Sequence, residues 1–201
     1  MSIPLNIYQS FISYSQHVDN TLMLLVNRVW THPILDHVTL FMRESIFHIP
    51  LYVFLFFVSY QAFNKKAFWW ILGAFALIAF TDLLSSQVIK YTFNRLRPCR
   101  DPFMSVHIRF LAKYCGTNPS FTSSHALNHF AFAAYTVQSF KQISKWFNML
   151  YLWAAIIAYS QIYVGVHYPS DVIVGAFLGI LLGWIGFRVT NQALSLHEPR
   201  S

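Results

Sequence analysis

Five apolar stretches, at about 46–63, 68–89, 121–140, 147–165 and 172–189, set the terms for this 201-residue chain. A helix needs roughly 20 residues to cross the hydrocarbon core of a bilayer, so each stretch is long enough to span with modest tilt. The rest of the composition agrees. Hydrophobic residues make up 56% and charged residues 10%, whereas a soluble domain carries about 25% charged residues to face water. The expectation is an all-α integral membrane helical bundle of five transmembrane helices, in one domain because the length leaves little room for a second.

The first 45 residues are less regular. Residues 18–30 are apolar but short, with His17, Asp19 and Arg28 flanking or interrupting them, and Pro33 breaks the chain before an amphipathic piece at 34–43. Both read as interfacial helices lying on the membrane, with a sixth span as the alternative. The expected organisation is an interfacial segment at 1–45, a bundle at 46–190 and a polar tail at 191–201. Residues 1–20 lack a basic start and a clean apolar run, so no cleavable signal peptide is expected.

Following the chain through five spans puts segment 90–120 and loop 166–171 on one side. Six Lys and Arg lie there and six on the other side, so charge leaves the orientation open. The net charge of +7 is scattered between apolar segments with no nucleic-acid motif, and suits an anionic substrate or anionic headgroups better than nucleic acid. Cys99 and Cys115, the only cysteines, both lie in the polar segment. A disulfide between them fits an oxidising, non-cytoplasmic face; two free thiols are the other reading.

Three polar clusters end up at one membrane face. Lys90, Arg95, Arg97 and Pro98 close the second stretch, Ser120 to His125 open the third, and Ser160 to Asp171 close the fourth. Their residue types suit phosphoryl transfer. Lys90, Arg97, the Ser123 hydroxyl and N–H groups at a helix start are phosphate-oxygen partners. His167 is a candidate nucleophile, with Asp171 four residues on to hold its ring, and His125 a candidate proton donor.

These clusters resemble the signature of the type 2 phosphatidic acid phosphatase (PAP2) superfamily. That signature is Lys, six residues, Arg-Pro; then Pro-Ser-Gly-His; then Ser-Arg, five residues, His, three residues, Asp. The first block is complete at Lys90, Arg97 and Pro98; the second matches at Ser123 and His125, the third at Ser160, His167 and Asp171. The resemblance covers roughly 82–178. It implies a metal-free, cofactor-free lipid phosphatase in which His167 forms a phosphohistidine, His125 protonates the leaving group, Asp171 supports His167, and Lys90, Arg97, Ser123, Ser124 and residue 161 hold phosphate. Implied substrates are undecaprenyl diphosphate, favoured because the chain is short, or lipid A, phosphatidylglycerol phosphate or phosphatidic acid. The setting expected is a bacterial inner membrane, with the site facing the periplasm or the exterior.

Three positions depart from the pattern. Thr122 and Ser124 replace proline and glycine, and Gln161 stands where the family has a phosphate-binding arginine. Gln keeps a donor but loses the charge and the bidentate fork. Compensation is expected from Arg95 or Arg100; a catalytically weak, lipid-binding relative is the competing reading. Asn128 and His129 are candidate supporting residues, Asp82 requires a partner inside a span, and Arg109 and Lys113 read as loop decoration. The remaining histidines show no metal-ligand spacing, so no metal site is expected. Trp69 and Trp70 read as interface anchors, and Gly175, Gly179 and Gly183 as a face for close helix packing.

Overall fold

The structure, a computed structural model, describes residues 5–196, and these are all helix or connecting turn. The helices are α1 (Leu5–Leu24), α2 (Pro33–Phe41), α3 (Ile49–Phe63), α4 (Lys66–Leu83), α5 (Lys90–Phe93), α6 (Ser124–Phe140), α7 (Met149–Tyr163) and α8 (Pro169–Leu194). A π turn at Leu84–Ile89 joins α4 to α5, so Lys66–Phe93 is one continuous helix of 28 residues. At 1.5 Å per residue it is about 42 Å long, more than the hydrocarbon core requires.

Among the described residues, three helices have the length and composition to cross a membrane: Ser45–Phe63, Lys66–Phe93 and Pro169–Leu194. Their outer faces carry exposed Phe54, Phe57, Phe75, Phe80, Ile173 and Phe177, the apolar surface expected of a chain solvated by lipid. The protein is an integral membrane protein. The other two expected spans fold as α6, 17 residues, and α7, 15 residues. They are shorter for a physical reason. Pro119 to Ser123 form a loop before α6, and α6 is the hub of the bundle, packed on α4, α7 and α8. It therefore carries Asn128, His129 and Gln138, and buries Ala126, Ala131, Ala133 and Ala134 against its neighbours.

Small residues let α6 and α8 approach closely. A Cβ built on Gly179 would stand 2.4 Å from the Leu127 carbonyl oxygen, and one on Gly183 would stand 2.2 Å from that of Ala131. The expected glycine face of the last stretch thus packs on α6. This contact fixes α8, and Asp171 in its first turn, against Ser123, whose N–H donates to the Asp171 carbonyl at 3.1 Å.

Several expectations are corrected here. The apolar piece expected at 18–30 is the end of a longer helix: α1 starts at Leu5, reaches Leu24 and continues as a π turn, Leu25–Val29. The polar residues that break its pattern have partners on the site side. Arg28 Nε donates to the His107 carbonyl at 2.6 Å, and Asn27 bonds both Arg109 and Tyr163. The boundary expected at 190 falls inside α8, which runs on to Leu194; the end of the expected tail, including His197 and Arg200, lies outside the described residues. Trp69 is exposed as expected, but Trp70 is buried and donates to Ser139 Oγ at 2.8 Å. Arg109 and Lys113 are ion-paired, with Asp36 and Glu44 respectively.

Candidate active site

The site lies where three chain segments meet: α5 with the turn after it, the loop into α6, and the turn between α7 and α8. Its floor is the 164–168 turn. Gly165, at φ +91°, takes a backbone conformation that a side chain would strain, and the Gln161 carbonyl accepts from both Val166 N and His167 N. That turn delivers His167, only 3% exposed, to the foot of α8.

Asp171 is fully buried and saturated with donors. Its Oδ2 accepts from the Ser120 hydroxyl, from Tyr168 N at 2.9 Å and from His167 Nδ1 at 3.4 Å. Its Oδ1 accepts from Arg95 at 2.9 Å. The bond from Tyr168 N also caps α8, so the carboxylate that orients His167 is held by the start of a helix. The far side of the imidazole fixes its tautomer. Arg97 Nη1 lies 3.2 Å from His167 Nε2, and a guanidinium only donates. Nε2 is therefore the acceptor, Nδ1 carries the proton, and that proton points at Asp171. Burial pushes the imidazole down to about 4, against the pull of Asp171 and with help from Arg97, so the ring is neutral near pH 7. A neutral ring with its Nε2 lone pair facing a cation is equipped to attack phosphorus.

Arg97 is itself steered. Its Nε donates to the Asn118 carbonyl at 2.9 Å and its Nη2 to Asn118 Oδ1 at 2.7 Å, while Nη1 also reaches the Val166 carbonyl at 3.3 Å. The segment carrying Asn118 is tied to the one carrying Arg97 by a disulfide, Cys99–Cys115, with Cα atoms 6.1 Å apart. Lys90, 1% exposed, donates to the carbonyls of Pro119, Ser120 and Thr122 at 3.0, 3.4 and 2.8 Å. All three of its N–H bonds are thus committed to shaping the loop that carries Ser120 and Ser123.

Ser123 caps α6, accepting from Ala126 N at 3.4 Å, and leaves the first N–H groups of that helix at the site, an arrangement that favours anions. Ser124 Oγ pairs with Ser85 Oγ at 2.8 Å, so its side chain turns toward the π turn after α4. His125 sits in the first turn of α6, exposed, and near enough for the charges of His167 and Arg97 to act on it. Asn128 bonds Thr81 and Asp82, which gives Asp82 the partner it requires. His129 Nδ1 lies 2.8 Å from the His125 carbonyl.

Position 161 differs from expectation. Gln161 is 1% exposed and its amide nitrogen turns back to Ile157 O at 3.2 Å and Ser160 Oγ at 3.3 Å. Both expected substitutes are bonded to protein groups. Arg95 is committed to carboxylates: besides Asp171 it donates to Asp19 Oδ2 at 2.7 Å, and to Gln16 and Ser170. Among the described residues, Arg100 donates only to the Thr117 carbonyl, at 3.3 Å. Asp19, Asn118 and Ser120 are site residues that the motifs did not name. Asp19 had one signal, a carboxylate interrupting an apolar helix.

Comparison with known proteins agrees with this geometry. Residues 67–195 match the PAP2 superfamily. The chain is 32% identical to the lipid A 4'-phosphatase of Porphyromonas gingivalis, over 92% of this chain and 78% of that one. It is 24% identical to the lipid A 4'-phosphatase of Bacteroides thetaiotaomicron, over 90% and 80% respectively. The crystal structure of Aquifex aeolicus LpxE superposes with a TM-score of 0.60 at 28% identity, covering 84% of this chain and 93% of that one. The three motif blocks, their convergence on one buried histidine and these matches make the chain a member of the PAP2 superfamily, and a lipid phosphatase.

Proposed function

We propose that the chain removes a phosphate monoester from a lipid A-type glycolipid, through a phosphohistidine at His167. The observation that carries the mechanism is the bonding around that ring: Asp171 at Nδ1 and the Arg97 N–H at Nε2. When a phosphate enters, the Arg97 N–H redirects its hydrogen bond from Nε2 to a phosphate oxygen, which frees the lone pair. Nε2 attacks phosphorus, the P–O bond to the lipid breaks, and His125, held protonated by the bound phosphate dianion, gives its proton to the departing oxygen and is left neutral. Asp171 stabilises the imidazolium character that develops. His125 then takes a proton from water, which attacks phosphorus; the P–N bond breaks and inorganic phosphate leaves.

The substrate assignment rests on different support. Two relatives that align over about nine-tenths of this chain are named lipid A 4'-phosphatases, and this favours lipid A over the undecaprenyl diphosphate suggested by the chain's small size. An apolar cavity of about 500 Å³, lined by Tyr52, Leu55, Phe56, Ala74, Phe132 and Trp153, begins at Asn128 and His129, one turn below His125. It suits an acyl chain whose phosphate sits at the mouth of the bundle. The Cys99–Cys115 disulfide supports a periplasmic or external face.

The test is phosphate release by detergent-purified protein with EDTA present, from lipid A, phosphatidylglycerol phosphate and undecaprenyl diphosphate in parallel. Fastest release from lipid A, lost in His167→Ala, is the expected outcome. Faster turnover of the diphosphate would return the assignment to undecaprenyl diphosphate.

A further inference from the structure

Gln161 leaves the site one cation short of the family pattern, and Lys90 and Arg95 spend their charges on protein groups. One guanidinium close to the site does not. Arg43 lies in the turn between α2 and α3, outside the three motif blocks. Among the described residues its side chain makes no hydrogen bond or ion pair, and its Nε is shut off from solvent without a partner. Leaving a buried donor unsatisfied costs about 1–3 kcal/mol, and more for a charged group, so such a group calls for a ligand.

The turn is pinned on two sides, which fixes where Arg43 sits. The Met42 carbonyl, one residue before it, is 3.1 Å from His48 Nε2. The His48 ring stands 6.0 Å from that of His129, which stacks 6.1 Å from that of His125. One residue after it, Glu44 pairs with Lys113 of the segment that carries Cys115 and Asn118. Arg43 therefore lies between the start of α6 and the loop that steers Arg97. Its charge is close enough to bear on both Arg97 and His125. Two guanidinium groups near a helix N-terminus suit an anion carrying more than one charge.

We propose that Arg43 is a phosphate-binding residue of this site, supplying from the α2–α3 turn the cation that position 161 no longer provides. The inference rests on the phosphatase reading above. It makes the N-terminal segment part of the substrate site, and it specifies a dianionic phosphate monoester as the group bound. Glutamine is then tolerated at position 161 because the positive charge enters from the α2–α3 turn.

The experiment uses the full chain in detergent. It measures inhibition constants for inorganic phosphate and orthovanadate, with KM and kcat for the lipid phosphate the wild type hydrolyses fastest. Arg43→Gln raises the inhibition constants and KM by roughly 10- to 100-fold, the range of one charge-assisted hydrogen bond. Adding Gln161→Arg to that variant restores phosphate affinity, which a merely structural role for Arg43 would not allow. Unchanged inhibition constants in Arg43→Gln, in a protein whose wild type binds phosphate and releases it from lipid, would overturn the inference and leave the phosphatase reading standing. A wild type that neither binds phosphate nor releases it would overturn both. Should Arg43→Gln not accumulate as folded protein, Arg43→Lys decides. Loss of the planar fork raises the inhibition constants several-fold if Arg43 binds phosphate, and an unchanged constant overturns the proposal.

Discussion

Arg95 joins Asp19 to Asp171. One terminal nitrogen of its guanidinium donates to Asp171 Oδ1 at 2.9 Å and the other to Asp19 Oδ2 at 2.7 Å, while its plane stacks on the Tyr168 ring, 4.0 Å from the centroid. Asp19 also accepts from Ser170 N at 2.9 Å and from the Ser170 hydroxyl. The N-terminal helix thereby reaches the carboxylate that orients His167, through one arginine. Breaking a buried pair by deleting one partner costs about 3–5 kcal/mol, because the other charge is left uncompensated. Here part of that loss falls on the geometry of His167, the proposed nucleophile.

Asp19→Asn and Arg95→Gln are therefore expected to lower kcat by roughly tenfold, the scale of one charge-assisted hydrogen bond, with little change in KM. Arg95→Lys should recover part of the loss. Steady-state kinetics on the three variants checks this; a rise in KM at constant kcat would mean that Arg95 serves substrate binding instead.

The protonation of His167 gives a second expectation. Burial disfavours the imidazolium, so the folded ring titrates well below the ordinary value of 6.5, near about 4. The sign follows: the ring is neutral and nucleophilic above that value, and protonation as pH falls through it removes the lone pair. Carbon-13 NMR of histidine-labelled protein, assigned by His167→Gln, should show no His167 titration between about pH 8 and 5.5. A midpoint at or above 6.5 would contradict the assignment of a resting neutral ring.

Reduction of Cys99–Cys115 should weaken both stability and phosphate binding. The bridge closes a loop between positions 16 apart, and a loop of that size contributes about 3 kcal/mol by limiting the unfolded chain. It also ties the segment of Arg97 to that of Asn118, which holds two of the guanidinium nitrogens. Cys99→Ser is expected to lower the thermal inactivation temperature and to raise KM. Equal KM with and without reductant would show that Asn118 keeps Arg97 in place unaided.

The packing of α8 on α6 gives a fourth. A Cβ at Gly183 meets the Ala131 carbonyl oxygen at 2.2 Å, a rigid backbone group, whereas one at Gly186 meets only the flexible Leu77 side chain at 3.1 Å. Gly183→Ala should destabilise by about 1–3 kcal/mol, the cost of overpacking, and Gly186→Ala should be nearly neutral. Unfolding in mixed detergent separates them; equal stabilities would mean that α8 slides freely on α6.

The three motif blocks were legible because each places its chemistry within a few residues at helix-end spacing, so His167 and Asp171 could be paired from sequence alone. What lies outside them was not. Asp19, Asn118 and Arg43 lie far along the chain from the groups they act on, and no motif spacing marks any of them. Arg95 is one of the two arginines expected to compensate for Gln161; Asp19, its second carboxylate partner, comes from a helix whose docking no local pattern reveals. The shortness of α6 had a similar cause. Hydropathy registers an apolar run, but the loop that Lys90 holds beneath Ser123 takes the first residues of that run for the site.

The central claim is a covalent intermediate on His167, and rapid-quench trapping tests it most directly. Protein mixed with phosphorus-32-labelled lipid A and quenched in alkali should carry a base-stable, acid-labile label on the peptide containing His167. The label should be absent in His167→Ala, and once formed it should decay more slowly in His125→Ala, which lacks the group that takes the proton from water. Steady release of phosphate by the wild type with no such label at any quench time would contradict a phosphohistidine at His167 and point to direct attack by water.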